Sequence, residues 1–409
     1  MVKKSTKIYI VGAGISGLVA AKTLEAQGYC PVLLETTDAA GGRVKTDIAN
    51  GVFFDHGFQV LLSAYPQAQK HLNYTNLKLN RFKPGALIFK EGKTQRIGDP
   101  LRDISALFPT IFSSIGSLSD KIKIFTLTQT LKNKSIDEIF ASAEISTLNY
   151  LKNYGFSDRI IENFFRPFFT GIFLEEELRT PSRMFEFVFK MFGEGYATLP
   201  ENGIGAISEQ LANQLKNSEI KFGHRVSKIS SNKIHLENGE VLQSDAILVT
   251  TPITIETGEH DLNNLGWKSC DNLYFTVEKK TFDEGIIGLV ADKDAFTNNL
   301  YYPFDQTVSG DPILSVTIVK NHTLNEKDLV ETVSSELLKH CKIATKSFLR
   351  KYTIKQALPD IDNLKKELSP NKIKVSENVY VAGDYVLNGS LNAAMASGES
   401  AAIKLMEEL

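Results

Sequence analysis

Lys7-Ile-Tyr-Ile-Val-Gly12-Ala13-Gly14-Ile15-Ser16-Gly17, followed by Leu18-Val-Ala-Ala-Lys-Thr-Leu-Glu-Ala26, decides how the rest of the chain must fold. The β-branched and aromatic run reads as a strand, the three glycines as a tight turn, and the alanine- and leucine-rich segment as a helix. Each glycine has a separate task in that unit. Gly12 permits the turn, Gly14 lets a diphosphate approach the backbone, and Gly17 lets the helix pack closely on the strand. The positive end of the helix then faces the phosphate charge. Gly12, Ala13, Gly14, Ile15, Ser16 and Gly17 are therefore expected around a dinucleotide. A second strand, Pro31-Val-Leu-Leu-Glu35, places an acid 18 residues beyond Gly17. There a carboxylate takes the hydroxyls of an adenosine ribose and disfavours a 2′-phosphate.

The next block, Thr36-Thr-Asp-Ala-Ala-Gly41-Gly42-Arg43, adds a second glycine pair and a base whose guanidinium can fork onto a diphosphate. From Lys7 to Arg43 the chain resembles the FAD-binding signature of the superfamily of flavin amine oxidases, protoporphyrinogen oxidases and carotenoid (phytoene) desaturases. That resemblance implies FAD as cofactor, held in part by Gly42 and Arg43. It also implies that the Asp55-His56-Gly57-Phe58-Gln59-Val60 stretch runs along the flavin, with Gly57, Phe58, Gln59 and Val60 in contact. His56 and Gln59 are the nearest polar candidates to the reacting ring.

Further along, Pro200-Glu-Asn-Gly-Ile-Gly205 marks a turn before a helix, and Asn238-Gly239 is a strong hairpin signal. The strand, hairpin, strand and proline from Ile220 to Pro252 match the superfamily's adenine-covering segment, which gives Val226 a backbone contact. Near the end, Asn378-Val-Tyr-Val-Ala-Gly383-Asp384 runs through a loop into the small-residue helix starting at Leu391. Gly383 and Asp384 are expected beside the ribityl and diphosphate groups. The amides of Leu391, Asn392 and Ala393 are expected to face the flavin N1 and C2 carbonyl, where negative charge develops on reduction.

Between Leu61 and about Gly195 the pattern reads as mostly helical, and 14 of the chain's 25 phenylalanines fall between residues 101 and 200. Two readings of that concentration stay open, a packed core or an apolar substrate pocket. Residues 253–370 read as three strands, Asn272 to Val277, Ile313 to Val319 and Leu349 to Gln356, with a helix from Glu326 to Cys341.

A chain of 409 residues can bury two domains' worth of core, and 42% apolar and 23% charged residues suit an ordinary globular protein. A net charge of −2 without a long basic run excludes a nucleic-acid partner as the working reading. Cys30, Cys270 and Cys341 are widely spaced, which suits reduced thiols, and no histidine spacing suggests a metal. The apolar run after Lys3-Lys4 contains the glycine turn, so it reads as a cytoplasmic N-terminus rather than a secretory signal. Ile104–Ser119 is the one uncharged stretch suited to lying on a membrane without crossing it.

The expected fold is therefore α/β. A discontinuous Rossmann-like FAD-binding domain (1–60, 195–252 and 371–409) carries an inserted α+β substrate domain (61–194 and 253–370, helical over about 100–194). The resemblance implies an FAD-dependent oxidoreductase that takes a hydride from a C–H bond of a hydrophobic small molecule. Amine oxidase, protoporphyrinogen oxidase, redox-neutral isomerase and non-catalytic flavoprotein stay as alternatives. Amine oxidation calls for an aromatic residue where this chain has Ser390, with Tyr385 and Tyr352 as substitutes. No catalytic acid or base, electron acceptor or oligomeric state can be named.

Overall fold

A computed structural model describes residues 6–98, 115–255 and 265–409. Lys3, Lys4 and all of the candidate membrane-surface stretch before Ile115 lie outside them. The opening strand, Ile8–Val11, is central in a six-stranded sheet. Val32–Leu34 and Ala246–Val249 run parallel on either side of it, Glu219–Lys221 and Val379–Val381 extend the parallel set, and Lys374–Ser376 closes one edge antiparallel. These short apolar strands are covered on both faces, which is why they read as continuous runs rather than alternating ones.

Helices Ile15–Glu25 and Leu391–Glu408 lie side by side against this sheet. Their approach requires glycine: a Cβ on Gly398 would stand 2.2 Å from the Ser16 carbonyl oxygen, and one on Gly17 would stand 2.1 Å from that of Gly12. Segments separated by nearly the whole chain are thereby joined where the glycine turn opens.

A second, eight-stranded sheet is built mainly from residues 266–360, its longest strands being Gly266–Val277 and Thr345–Asp360. The helices from Leu118 to Glu194 are joined to it where Arg166–Phe173 packs on Thr297–Tyr301. Here the structure departs from the sequence reading. Gly85–Lys90 and Lys93–Gly98 form a hairpin inside the stretch read as helical, and Gly85–Lys90 joins the large sheet parallel to Ile287–Val290. The turn is made by Glu91 and Gly92, both with positive φ. That geometry fits a hairpin, but Glu-Gly is a weaker turn signal than Asn-Gly. Strands Ile287–Val290 and Thr297–Tyr301 were likewise not anticipated. The Glu326 to Cys341 helix is α-helical to Glu336 and widens to a π-turn over Leu337–Cys341. A small sheet of Leu61–Leu62, Asn80–Arg81 and Ala197–Leu199 ties the helical region to the segment returning at Gly195.

Candidate functional site

The two sheets face a cavity of about 650 Å³ that opens with the glycine turn at one end and runs to apolar side chains at the other. Most of the residues singled out from the sequence line this one cavity. Gly12, Gly14, Ile15, Ser16, Glu35, Gly42, Arg43, Gly57, Phe58, Gln59, Val60, Val226, Gly383, Asp384 and Leu391 all line the cavity. Ala13, Gly17, Asn392 and Ala393 do not.

The glycines divide into two kinds. Gly12 has φ +98°, a conformation costly for any residue with a Cβ. Gly17 is in contact with backbone. At Gly14, by contrast, a Cβ would meet nothing closer than the Gly41 carbonyl oxygen at 4.0 Å, and at Gly42 nothing closer than Gly14 Cα at 3.5 Å. The space beside Gly14 and Gly42 therefore belongs to the cavity, as a cradle for a diphosphate requires.

Glu35 is 7% exposed and fixed at the strand end. Its Oε2 accepts from the Ala13 amide at 2.9 Å, and its Oε1 accepts from the Thr37 amide and hydroxyl, each at 2.9 Å. The carboxylate thus ties the turn to the second strand while keeping lone pairs for a further donor.

Arg43 departs from expectation. Its guanidinium pairs with Asp384, donates to the Ala357 carbonyl at 3.3 Å and lies 5.3 Å over the ring of Trp267, the chain's one tryptophan. Base and acid, expected to act separately, neutralise each other across the cavity. Gln59 donates its side-chain amide to the Arg43 and His56 carbonyls, so it holds the loop rather than facing a reacting group. His56 Nε2 lies 2.9 Å from Asp47 Oδ1, and the imidazole lies tilted against the Tyr352 ring at 4.3 Å between centroids. Tyr352 donates to Asp47 at 2.9 Å and is not part of the cavity wall, so it does not substitute for a missing aromatic; Tyr385 does line the wall.

Asp55 is buried, its Oδ1 accepting from Thr46 Oγ1 at 2.6 Å and from the Ile204 amide at 2.9 Å. Burial pushes its carboxyl up to about 6, against the pull of those two donors. Gly203 and Gly205 let the Pro200–Gly205 turn lie against this hairpin, since a Cβ on either would stand within 2.7 Å of Thr46 or Asp55 atoms.

The last helix starts with Ser390, whose hydroxyl accepts from the Ala393 amide at 3.0 Å and donates to Asn388 at 2.7 Å. The Ala393 amide is therefore occupied by its own cap and is not available to a ligand. The Asn392 side chain accepts from the Gln67 amide at 3.0 Å, away from the cavity. The small side chain of Ala394 does reach the wall.

The phenylalanine concentration resolves into both of its readings. Phe165, Phe169, Phe173 and Phe185 are fully buried and form a core of tilted and edge-on rings, and Phe187, equally buried, packs against Tyr65 and Phe140. Phe168, Phe173 and Phe192 also border the cavity, with Ile172, Met184 and Val188. Sequence reasoning missed Trp267, Lys268 and Thr180, which reach the cavity from a strand and a loop with no local motif. The single tryptophan was the one available signal.

A family model described as flavin containing amine oxidoreductase matches residues 15–406. The chain is 26% identical over 285 residues to a chloroplastic/chromoplastic 15-cis-phytoene desaturase of an Oncidium hybrid cultivar, covering 62% of this chain and 47% of that protein. It is 25% identical over 377 residues to the L-amino acid oxidase Bs29 of Bothriechis schlegelii, covering 81% and 73% respectively. The match thus spans about half the length of the desaturase. Among solved structures, a triple mutant of putrescine oxidase superposes with a TM-score of 0.75 at 14% identity, over 99% of both chains. That likeness concerns the fold.

Proposed function

The chain belongs to the flavin-containing amine oxidoreductase family, and we propose that it is an FAD-dependent oxidoreductase removing a hydride from a C–H bond of an apolar small molecule. The observation that carries this reading is the continuity of one cavity from the Gly14 and Gly42 cradle to the wall of Phe168, Ile172, Phe173, Met184 and Val188. FAD is the family's cofactor, and it supplies the hydride acceptor. The chain's own residues do the rest. In this proposal Gly12, Gly14, Ser16 and Gly42 receive the diphosphate, Glu35 the adenosine ribose, and Val226 the adenine. Gly57, Phe58 and Val60 lie along the ring, and Leu391 begins the helix at its pyrimidine edge. Residues 1–60, 195–252 and 371–409 then hold the cofactor, while 61–194 and 253–370 close the apolar end and exclude water.

Anaerobic mixing of the purified yellow protein with amines, polyprenoids, fatty acids and porphyrinogens tests the reading. Bleaching by an apolar class is the expected outcome. Bleaching by small hydrophilic amines alone would overturn it.

A peripheral membrane contact fits the same reading, because apolar substrates reside in bilayers. Leu118, Ile122 and Phe125, 65%, 59% and 50% exposed, share one face of the helix Leu118–Asn133. Co-sedimentation with vesicles, lost when all three become serine, is the expected result. Unchanged sedimentation of that variant would remove this contact. No helix among the described residues is long and apolar enough to cross a membrane.

A further inference from the structure

One cation faces the otherwise apolar part of the cavity. Lys268 lies on the long strand Gly266–Val277 and lines the wall with Thr180, Leu174, Ile361 and Leu364. Its side chain is only 9% exposed. An ammonium so far from water is costly unless its three N–H donors find acceptors.

The protein provides few of them. Lys268 Nζ donates to Thr180 Oγ1 at 3.2 Å. The Thr180 hydroxyl proton goes to Glu175 Oε1 at 3.0 Å, which leaves its oxygen as an acceptor for the lysine. The nearest carboxylate oxygen, Asp360 Oδ1, is 3.7 Å away, too far for a hydrogen bond. The other oxygen of Asp360 already takes Arg179 Nη2 at 2.7 Å. Glu175 Oε1 accepts from the Thr180 amide and hydroxyl, while its buried Oε2 has no hydrogen-bond partner. Burial lowers the Lys268 ammonium below its ordinary range, with Asp360 and Glu175 pulling it back. The ammonium has three donors, one is taken by Thr180, and the residue lines the cavity.

Resting on the proposed apolar-substrate reading, we infer that Lys268 and Thr180 form the head-group subsite of this cavity and select an apolar molecule ending in a carboxylate. A carboxylate accepts the remaining ammonium donors in a charge-assisted bond, which is shorter and stronger than a neutral one. An alkylammonium end group would instead bring like charge against a buried cation. The subsite thus discriminates against amines of the same chain length.

The test uses the flavin-loaded protein and four probes of one length: dodecanoate, methyl dodecanoate, dodecanol and dodecylamine. Binding is read from the perturbation of the flavin absorbance, in the wild type, Lys268→Met and Lys268→Arg. The expected wild-type result is that dodecanoate binds about tenfold or more tightly than the ester or the alcohol, with the amine weakest. Lys268→Met should remove that preference and Lys268→Arg should keep it, with flavin content and melting temperature as controls on folding. Equal binding of all four probes to the wild type would overturn the subsite and leave the apolar-substrate reading standing. A preference that survives in Lys268→Met would do the same. Failure of every probe to bind would instead count against the apolar-substrate reading, and the subsite would fall with it.

Discussion

The two ends of the cavity were made in different ways. At the glycine end, residues close in sequence build the wall: Gly12, Gly14 and Ser16 sit on one turn, and Glu35 and Gly42 follow within 30 residues. At the apolar end, neighbours along the chain part company. Phe168 borders the cavity while Phe169, next to it, is wholly buried, and Lys268 arrives from a different sheet. A motif read along the chain can specify the first kind of surface. The second depends on which face of a helix turns inward.

The largest expected effect tests that division among the phenylalanines. Phe185→Ala removes a fully buried ring packed against Phe165 and Phe169, and should cost about 3–5 kcal/mol in chemical unfolding. Phe168→Ala should cost clearly less and change substrate binding instead. Equal losses for the two would dissolve the distinction between core and wall.

The next effect lies where the two ends meet, in the hairpin Thr46–Asp55 that leads into Gly57. Asp55 has its carboxyl raised to about 6 in the fold from an ordinary 3.8, so the folded state holds the proton more tightly than the unfolded chain. Its contribution to stability is therefore present below the unfolded value and lost as pH rises through about 6. The loss should approach roughly 3 kcal/mol. Asp55→Asn still accepts from Thr46 and Ile204 and should flatten the stability profile over that window. A pH dependence identical to wild type would place the buried charge elsewhere.

The smallest effect separates two glycines three residues apart. Gly17→Ala drives a Cβ into the Gly12 carbonyl and should destabilise the protein by about 1–3 kcal/mol. Gly14→Ala meets no protein atom within contact, so the melting temperature of the apoprotein should hardly move while FAD retention falls. If Gly14→Ala lowers apoprotein stability as much as Gly17→Ala does, Gly14 is a packing residue and the cradle assignment fails.

Glu35 shows how far the sequence reading reached. Its position at the end of the second strand and its place on the cavity wall followed from spacing. Its three hydrogen bonds to Ala13 and Thr37 did not, and they change what a substitution means. Glu35→Ala would strand the buried Ala13 amide, so loss of flavin alone would not identify its role. Arg43 is similar: spacing brought it to the cavity, but the pairing with Asp384 joins residues 341 positions apart. The hairpin from Gly85 to Gly98 escaped notice because its apolar run, Gly-Ala-Leu-Ile-Phe, has no alternation. One face packs under the helices and the other under the sheet's second core, so neither face needed polar residues.

By itself the sequence determined the strand, turn and helix at Lys7–Glu25, the acid at Glu35, and the closing segment at Val379–Leu391. Glycine, β-branching and capping act within a few residues, so local chemistry is enough to specify them. Only the tertiary structure decided that Ser390 takes the Ala393 amide, that Arg43 faces Asp384, and that Lys268 and Thr180 share an apolar wall. Those outcomes depend on which distant side chains burial brings together. Desolvation then makes each buried polar group seek a partner, wherever along the chain that partner lies.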